Sequence, residues 1–311
     1  MQLKNFLMLL LLATLWGPSF LFIKVAIVEI PPVTLAALRI GIGAVFINLY
    51  LYMRGGSFIK ELAFWKHVTI AGFFAHALPF ILINWGEQYI DSAMASILNG
   101  LTPLFTIVMA NFVIEDDKMD VKKILGTILG FIGLMVLISP SLISGIKASV
   151  LGVVAVGIGA ASYGVALVYS RLNLKAVKPV YAPASQLLVT AVYLVPFAFL
   201  TDGPVNLASL SFNAIGSVLI LAVPGTAMAF VVYYKVLEKA SASYLSLVTY
   251  LMPIYGVVLG VTVLGETITM ETFIGAILIL SGIAIVNGIL RLPKWKMKVR
   301  RVKAENPVCK Q

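Results

Sequence analysis

One strongly apolar pattern is written twice in this chain, and that repetition restricts its fold more than any other feature. Trp16-Gly17, Lys24, Pro32 and Arg39 recur 147 residues later as Tyr163-Gly164, Arg171, Pro179 and Gln186. Pro103 recurs as Pro253, and the segment Gly126–Gly133 recurs as Gly275–Gly282. The spacing holds to within a few residues from one end to the other, so the two stretches are copies of one unit. A duplicated apolar unit is the ground plan of many secondary transporters, in which a solute site lies between the halves.

The unit belongs in a membrane. The chain is 60% hydrophobic and 12% charged over 311 residues, against roughly 25% charged residues in a soluble domain. A helix crosses a bilayer with about 20 apolar residues. Ten segments meet that length: 5–28, 33–53, 67–86, 92–113, 122–140, 150–170, 181–200, 212–234, 243–264 and 271–290. The first is read as a span and not as a cleaved leader, because no small-x-small site precedes Trp16-Gly17. Pro31-Pro32, Gly55-Gly56 and Asp202-Gly203-Pro204 punctuate the short connections.

Charge sets the orientation. With the N-terminus in the cytoplasm, nearly every Lys and Arg falls on the inner side, and only Lys24, Arg39 and Lys147 fall toward the outer side. That bias puts both termini inside. Each copy holds five spans, and an odd number inserts the second copy upside down. The divisions are 1–143, 144–290 and a basic tail, 291–311. Inverted copies supply two packings of similar energy, which alternating access requires.

Residues three and four apart share a helix face. Span four carries Ser92, Ser96, Asn99, Thr102-Pro103 and Thr106 on one stripe, and span nine carries Ser243, Ser246, Thr249-Tyr250, Pro253 and Gly256. Pro103 and Pro253 each remove an intrahelical donor and kink the axis, which in lipid is tolerated where a neighbour or a wet cavity satisfies the freed carbonyl. Asn99 and Tyr250 are therefore assigned to a cavity; the serines fit a cavity and close helix packing equally. Span three carries His76, Phe80, Asn84 and Glu87, matched in span eight by Thr226, Phe230 and Tyr233-Tyr234. His76 reads as a proton relay or as a hydrogen-bonded packing residue. Glu87 reads as solvated at the outer surface, or as a gate or proton acceptor. Span one adds Trp16 and Phe20, and span six adds Tyr163. Trp16 near mid-membrane lies away from the interfaces that tryptophan favours. Lys24 and Arg39 sit near the outer ends of their helices and are assigned to a gating or structural ion pair with Glu29, Glu87 or Asp91. Gly126, Gly130 and Gly133, with Gly256 and Gly260, form small-residue surfaces for internal packing or for a homodimer.

The basic tail, Arg291–Lys303, is placed on the anionic inner leaflet, so the net charge of +10 points to lipid and not to nucleic acid. The single cysteine, Cys309, permits no internal disulfide and no cysteine metal site. With two histidines and no paired carboxylates inside the spans, the chain lacks the clustered groups a membrane enzyme needs. No cofactor is called for.

Several of these stretches resemble the EamA-like branch of the drug/metabolite transporter superfamily. They are W-G-P-S-F-L-F-I-K-V-A (Trp16–Ala26), L-A-A-L-R (Leu35–Arg39), S-A-M-A-S-I-L-N-G-L-T-P-L-F (Ser92–Phe105) and L-G-E (Leu264–Glu266) with the Gly275–Gly282 helix. The resemblance covers residues 5–290. It implies an all-α bundle of ten transmembrane helices in two inverted five-helix repeats, with a central cavity for small metabolites. Where the family's first copy carries a glutamate matching Glu266, this chain has Asp117 after Glu115 and Asp116. The resemblance gives that acid the role of holding spans four and five together. The expectation is thus a permease of the inner membrane, monomeric or dimeric, that moves an amino-acid-like solute through an apolar, aromatic cavity without a central charge. The alternatives are a channel or a non-transporting scaffold subunit.

Overall fold

The computed structural model describes residues 2–57, 61–113, 121–143, 147–174, 177–178, 180–239 and 248–286. The helices fall where the apolar runs predict them. Span one is α1 (Gln2–Trp16) and α2 (Ser19–Ala26), and span two is α3 (Pro32–Met53). Span three is α4 (Leu62–Gly72) and α5 (Leu78–Gly86), joined by a π-helical turn at Phe73–Ala77. Span four is α6 (Ser92–Asn99) and α7 (Thr102–Val113), span five α8 (Val121–Ile143), span six α9 (Lys147–Asn173) and span seven α10 (Tyr181–Thr201). Span eight is α11 (Phe212–Ala222) and α12 (Ala229–Lys239) around a second π turn, Val223–Met228. Spans nine and ten are α13 (Val248–Leu264) and α14 (Met270–Val286). Seven of these spans are long and apolar enough to cross a membrane, and α13 and α14 contain shorter apolar helices.

Local chemistry sets the boundaries. Pro32 opens α3, where its missing N–H costs nothing. Gly55 and Gly203, with φ of 71° and 74°, end the matched helices α3 and α10 in the left-handed region that glycine enters freely. Pro18 divides α1 from α2, whereas α9, with Val165 at the matched place, runs unbroken. The two proline kinks expected from the sequence differ. Pro103 follows a break at Gly100-Leu101, and the hydroxyl of Thr102 donates 2.8 Å to the Asn99 carbonyl that the proline leaves without an amide. Pro253 stays inside a helix that continues on both sides.

Contacts between the copies follow a two-fold pattern. Spans two and seven pack together, as do four and nine, and five and ten. Span three packs on six, and span eight packs on one in the corresponding way. Lipid offers no hydrophobic drive between helices, so close approach matters most. Backbones approach closely between α8 and α14, where a Cβ on Gly133 would stand 2.8 Å from the Gly275 carbonyl oxygen. The Gly126, Gly130 and Gly133 surface is therefore used inside the chain. Large apolar side chains such as Phe46, Leu49, Phe197 and Leu200 remain exposed on the outside of the bundle.

Candidate functional site

The two π turns occupy matched positions, and each receives one polar side chain from the opposite copy. Arg39 on α3 donates through Nε to Thr226 Oγ1, 2.9 Å away in the span-eight turn. Gln186 on α10, the copy of Arg39, meets His76 in the span-three turn, with Oε1 3.3 Å from Nε2. His76 is itself the copy of Thr226, so these are one contact written twice with different chemistry. A π turn widens the helix and leaves carbonyls off the regular ladder. Thr226 donates 2.8 Å to the Leu221 carbonyl, and an Arg39 terminal nitrogen lies 3.4 Å from the Gly225 carbonyl. Phe74, in the other turn, has its carbonyl bonded by the Ser162 hydroxyl at 2.7 Å.

Aromatic rings surround this pair of contacts. The Arg39 guanidinium carbon lies 4.0 Å over the Phe80 ring centroid, within the range of a cation–π contact. The His76 ring stands edge-on to Phe80 and to its copy Phe230, at 5.9 and 4.7 Å. Trp16 continues the cluster to Phe230 and Tyr233, at 5.6 and 5.7 Å. Trp16, Tyr163 and Tyr233 are half-buried, while Phe20, Phe80 and Phe230 are buried. Gln186 Nε2 donates to Tyr234 Oη at 3.4 Å. With the amide so oriented, its Oε1 faces His76 Nε2 and accepts from it. Nδ1 is buried and has no hydrogen-bond partner among the described residues.

Several sequence expectations change here. Arg39 forms no gate at the membrane surface. It starts about 10 Å along α3, but its side chain is buried at 5% exposure and bonded to the middle of span eight. The site therefore does contain a central base. Among the described residues Lys24 does not pair with a carboxylate either: its ammonium donates to the main-chain carbonyls of Glu87 and Ile90, at 2.6 and 2.8 Å, at the C-terminal end of α5. Glu87 is not solvated. It is fully buried, and neither carboxylate oxygen has a hydrogen-bond partner among the described residues. Ser96 lies in the contact with span nine, where its hydroxyl fills the space beside Gly256 and bonds the Ala93 carbonyl at 2.7 Å. Asn84 donates to the Pro32 carbonyl at 3.0 Å, and its Oδ1, like that of Asn99, is buried without a partner among the described residues. The side chains of Ser246 and Tyr250, the acids Glu115–Asp117 and the tail beyond Val286 lie outside the described residues.

The face away from the N-terminus is tied across the copies by three carboxylates, each on a helix start. Glu266 accepts from the Ser92 and Ala93 amides of α6, at 2.8 and 3.0 Å. Asp202 accepts from the amide and hydroxyl of Thr34 on α3, at 2.8 and 2.9 Å. Glu29 accepts from the Ser211 amide before α11 at 2.8 Å and from its hydroxyl. Those bonds hold the Glu29 carboxyl below its ordinary range. These ties are not legible in the sequence, where the acid matching Glu266 is assigned to spans four and five. Gln186 was also missed as a site residue, although a buried amide at the copy position of Arg39 was the available signal.

Two matched broken spans, a polar pair joining the copies at their centre and an apolar exterior define a polytopic membrane transporter. The sequence profile of the EamA-like transporter family matches the chain twice, over residues 3–139 and 150–288. The chain belongs to that family, whose fold is the ten-helix bundle. It is 29% identical to "Uncharacterized transporter YoaV" of Bacillus subtilis over 86% of this chain and 91% of that one. It is 25% identical to a "Probable amino-acid metabolite efflux pump" of Escherichia coli over 96% and 99%. A solved crystal structure superimposes with a TM-score of 0.66 at 20% identity, covering 94% of this chain and 99% of the other.

Proposed function

We propose that this transporter moves a small amino-acid-like metabolite across the inner membrane by alternating access, with both termini in the cytoplasm. The observation that carries this reading is the pair of equivalent contacts, Arg39–Thr226 and Gln186–His76, each joining a span of one copy to the π turn of the other. Exchanging the packing of the copies about such a pair closes one face as it opens the other. The buried aromatic cluster with few polar groups suits a solute with an apolar portion. Relatives described as amino-acid metabolite efflux pumps support that class, and the Lys and Arg bias supports the orientation.

Counterflow in proteoliposomes tests the proposal. Vesicles loaded with an unlabelled amino acid should transiently accumulate the labelled form, with saturation. Non-saturating flux without counterflow would make the protein a channel, and no flux for any amino acid would remove this substrate class.

A further inference from the structure

Arg39 carries a charge that its structural position does not require. Its copy, Gln186, makes the equivalent contact with the opposite π turn through a neutral amide. Both side chains are buried, at 5% and 1% exposure. Holding the copies together therefore needs a hydrogen-bonding side chain at this place and not a cation. A buried guanidinium is costly unless a partner compensates it. Among the described residues its contacts are neutral: the Thr226 hydroxyl, the Gly225 carbonyl and the Phe80 ring. Tyr163 and Glu87 act on it electrostatically, but neither Glu87 oxygen has a hydrogen-bond partner among the described residues. A guanidinium has five donors, and the bonds to Thr226 and Gly225 leave part of that fork for a further acceptor.

Resting on the transport reading above, we infer that Arg39 binds the carboxylate of the transported solute and so determines its specificity. The planar fork matches a carboxylate in two parallel bonds. The nearby cation Lys24 is committed to the Glu87 and Ile90 carbonyls, so a single positive charge is offered, which suits a monocarboxylate better than a phosphate dianion. His76, whose ring stands edge-on to the same Phe80 ring and whose buried Nδ1 has no hydrogen-bond partner among the described residues, gives a neighbouring amine or hydroxyl of the solute a place to bond. The recognised group is then a carboxylate with an adjacent amine or hydroxyl, and Trp16, Phe230 and Tyr233 meet the rest.

The test uses the full chain in detergent and in proteoliposomes, and needs no variant for its first arm. The probes are the twenty amino acids, the primary amide and the decarboxylated amine of whichever binds best, and phenylpropionate as a monocarboxylate without an amine. Thermal stabilisation and inhibition of counterflow are read for each. Removing the carboxylate should weaken binding about 10- to 100-fold, the range of one charge-assisted contact. Equal binding of acid and amide overturns the inference while leaving the transport reading intact. Binding of phenylpropionate but of no amino acid overturns the amino-acid reading and keeps the carboxylate site. In the second arm, Arg39→Gln places in the first copy the residue that the second copy already uses. It should fold and should bind acid and amide equally; retained preference for the acid overturns the inference.

Discussion

Glu266→Gln breaks the tie that joins the end of span nine to the start of span four. The wild-type carboxylate accepts two amides, at 2.8 and 3.0 Å, in the first turn of α6. Hydrogen bonds to a charged partner contribute about 1.5–3 kcal/mol each, and a negative charge at a helix N-terminus adds about 0.3–1 kcal/mol. Glutamine keeps one carbonyl acceptor but loses the charge, and it turns its NH2 toward the second amide. The net loss is therefore about 2 kcal/mol, one charge-assisted bond and the helix term. Losing a tie that is present only when that face is closed lowers the closed population by this amount, about 30-fold in the ratio of closed to open. The assay places a reporter cysteine at Asn99 in a Cys309→Ser background and follows its reaction with an impermeant maleimide from that face. Glu266→Gln should speed labelling by about that factor. Ser92→Pro removes one of the two donors at the first helical position, where proline is tolerated, so adding it to Glu266→Gln should cost less than the sum of the two. Unchanged labelling with an unchanged unfolding midpoint would refute the gating role of the tie.

Gly133→Ala should destabilise the chain by about 1–3 kcal/mol in denaturant unfolding, because its methyl would lie 2.8 Å from the Gly275 oxygen and the Ile279 nitrogen. Gly157→Ala, with nothing within 4 Å of the added methyl, should instead be neutral or stabilising by up to about 1 kcal/mol. Tyr234→Phe leaves the Gln186 amide without its partner and should cost about 1–2 kcal/mol, with a change in the His76 ring signals by NMR that a merely local loss would not produce. Glu29 has its carboxyl lowered from the usual 4.5 by the Ser211 bonds, so its contribution is complete above that value and disappears as pH falls through the lowered one. The unfolding midpoint should drop across that window in the wild type, and Glu29→Gln should flatten that part of the curve.

Much of the architecture follows from local sequence. In lipid every backbone polar group must find a partner inside the protein, so a helix is the solution for most of each apolar run, and a carbonyl freed at a π turn is bonded from a neighbouring span, as Ser162 bonds that of Phe74. Phe80 and Phe230 were legible as a pair from their spacing, and both rings do stand edge-on to His76. The polar stripes were less legible. Ser92, Ser96 and Asn99 share a face, but a face says nothing of what covers it, and Gly256 and Gly260 of the other copy fill the space beside the two serines. Arg39 was misplaced for a related reason: the depth of its Cα was known, whereas a side chain with its reach goes to whichever helix accepts it.

The sequence by itself determined the duplication, the odd number of spans in each copy and the apolar surround, because periodicity and charge bias act through the chain's neighbours and through the membrane. Only the tertiary structure decided the partners. It placed Arg39 on Thr226 and Gln186 on His76, put Lys24 on main-chain carbonyls, and set three acids on helix starts of the opposite copy. Those contacts join residues far apart in the chain whose helices meet only once both copies are folded; small-residue spacing such as Gly126, Gly130 and Gly133 marks a packing face, but the single hydrogen bonds that choose each partner leave no periodic trace in the sequence.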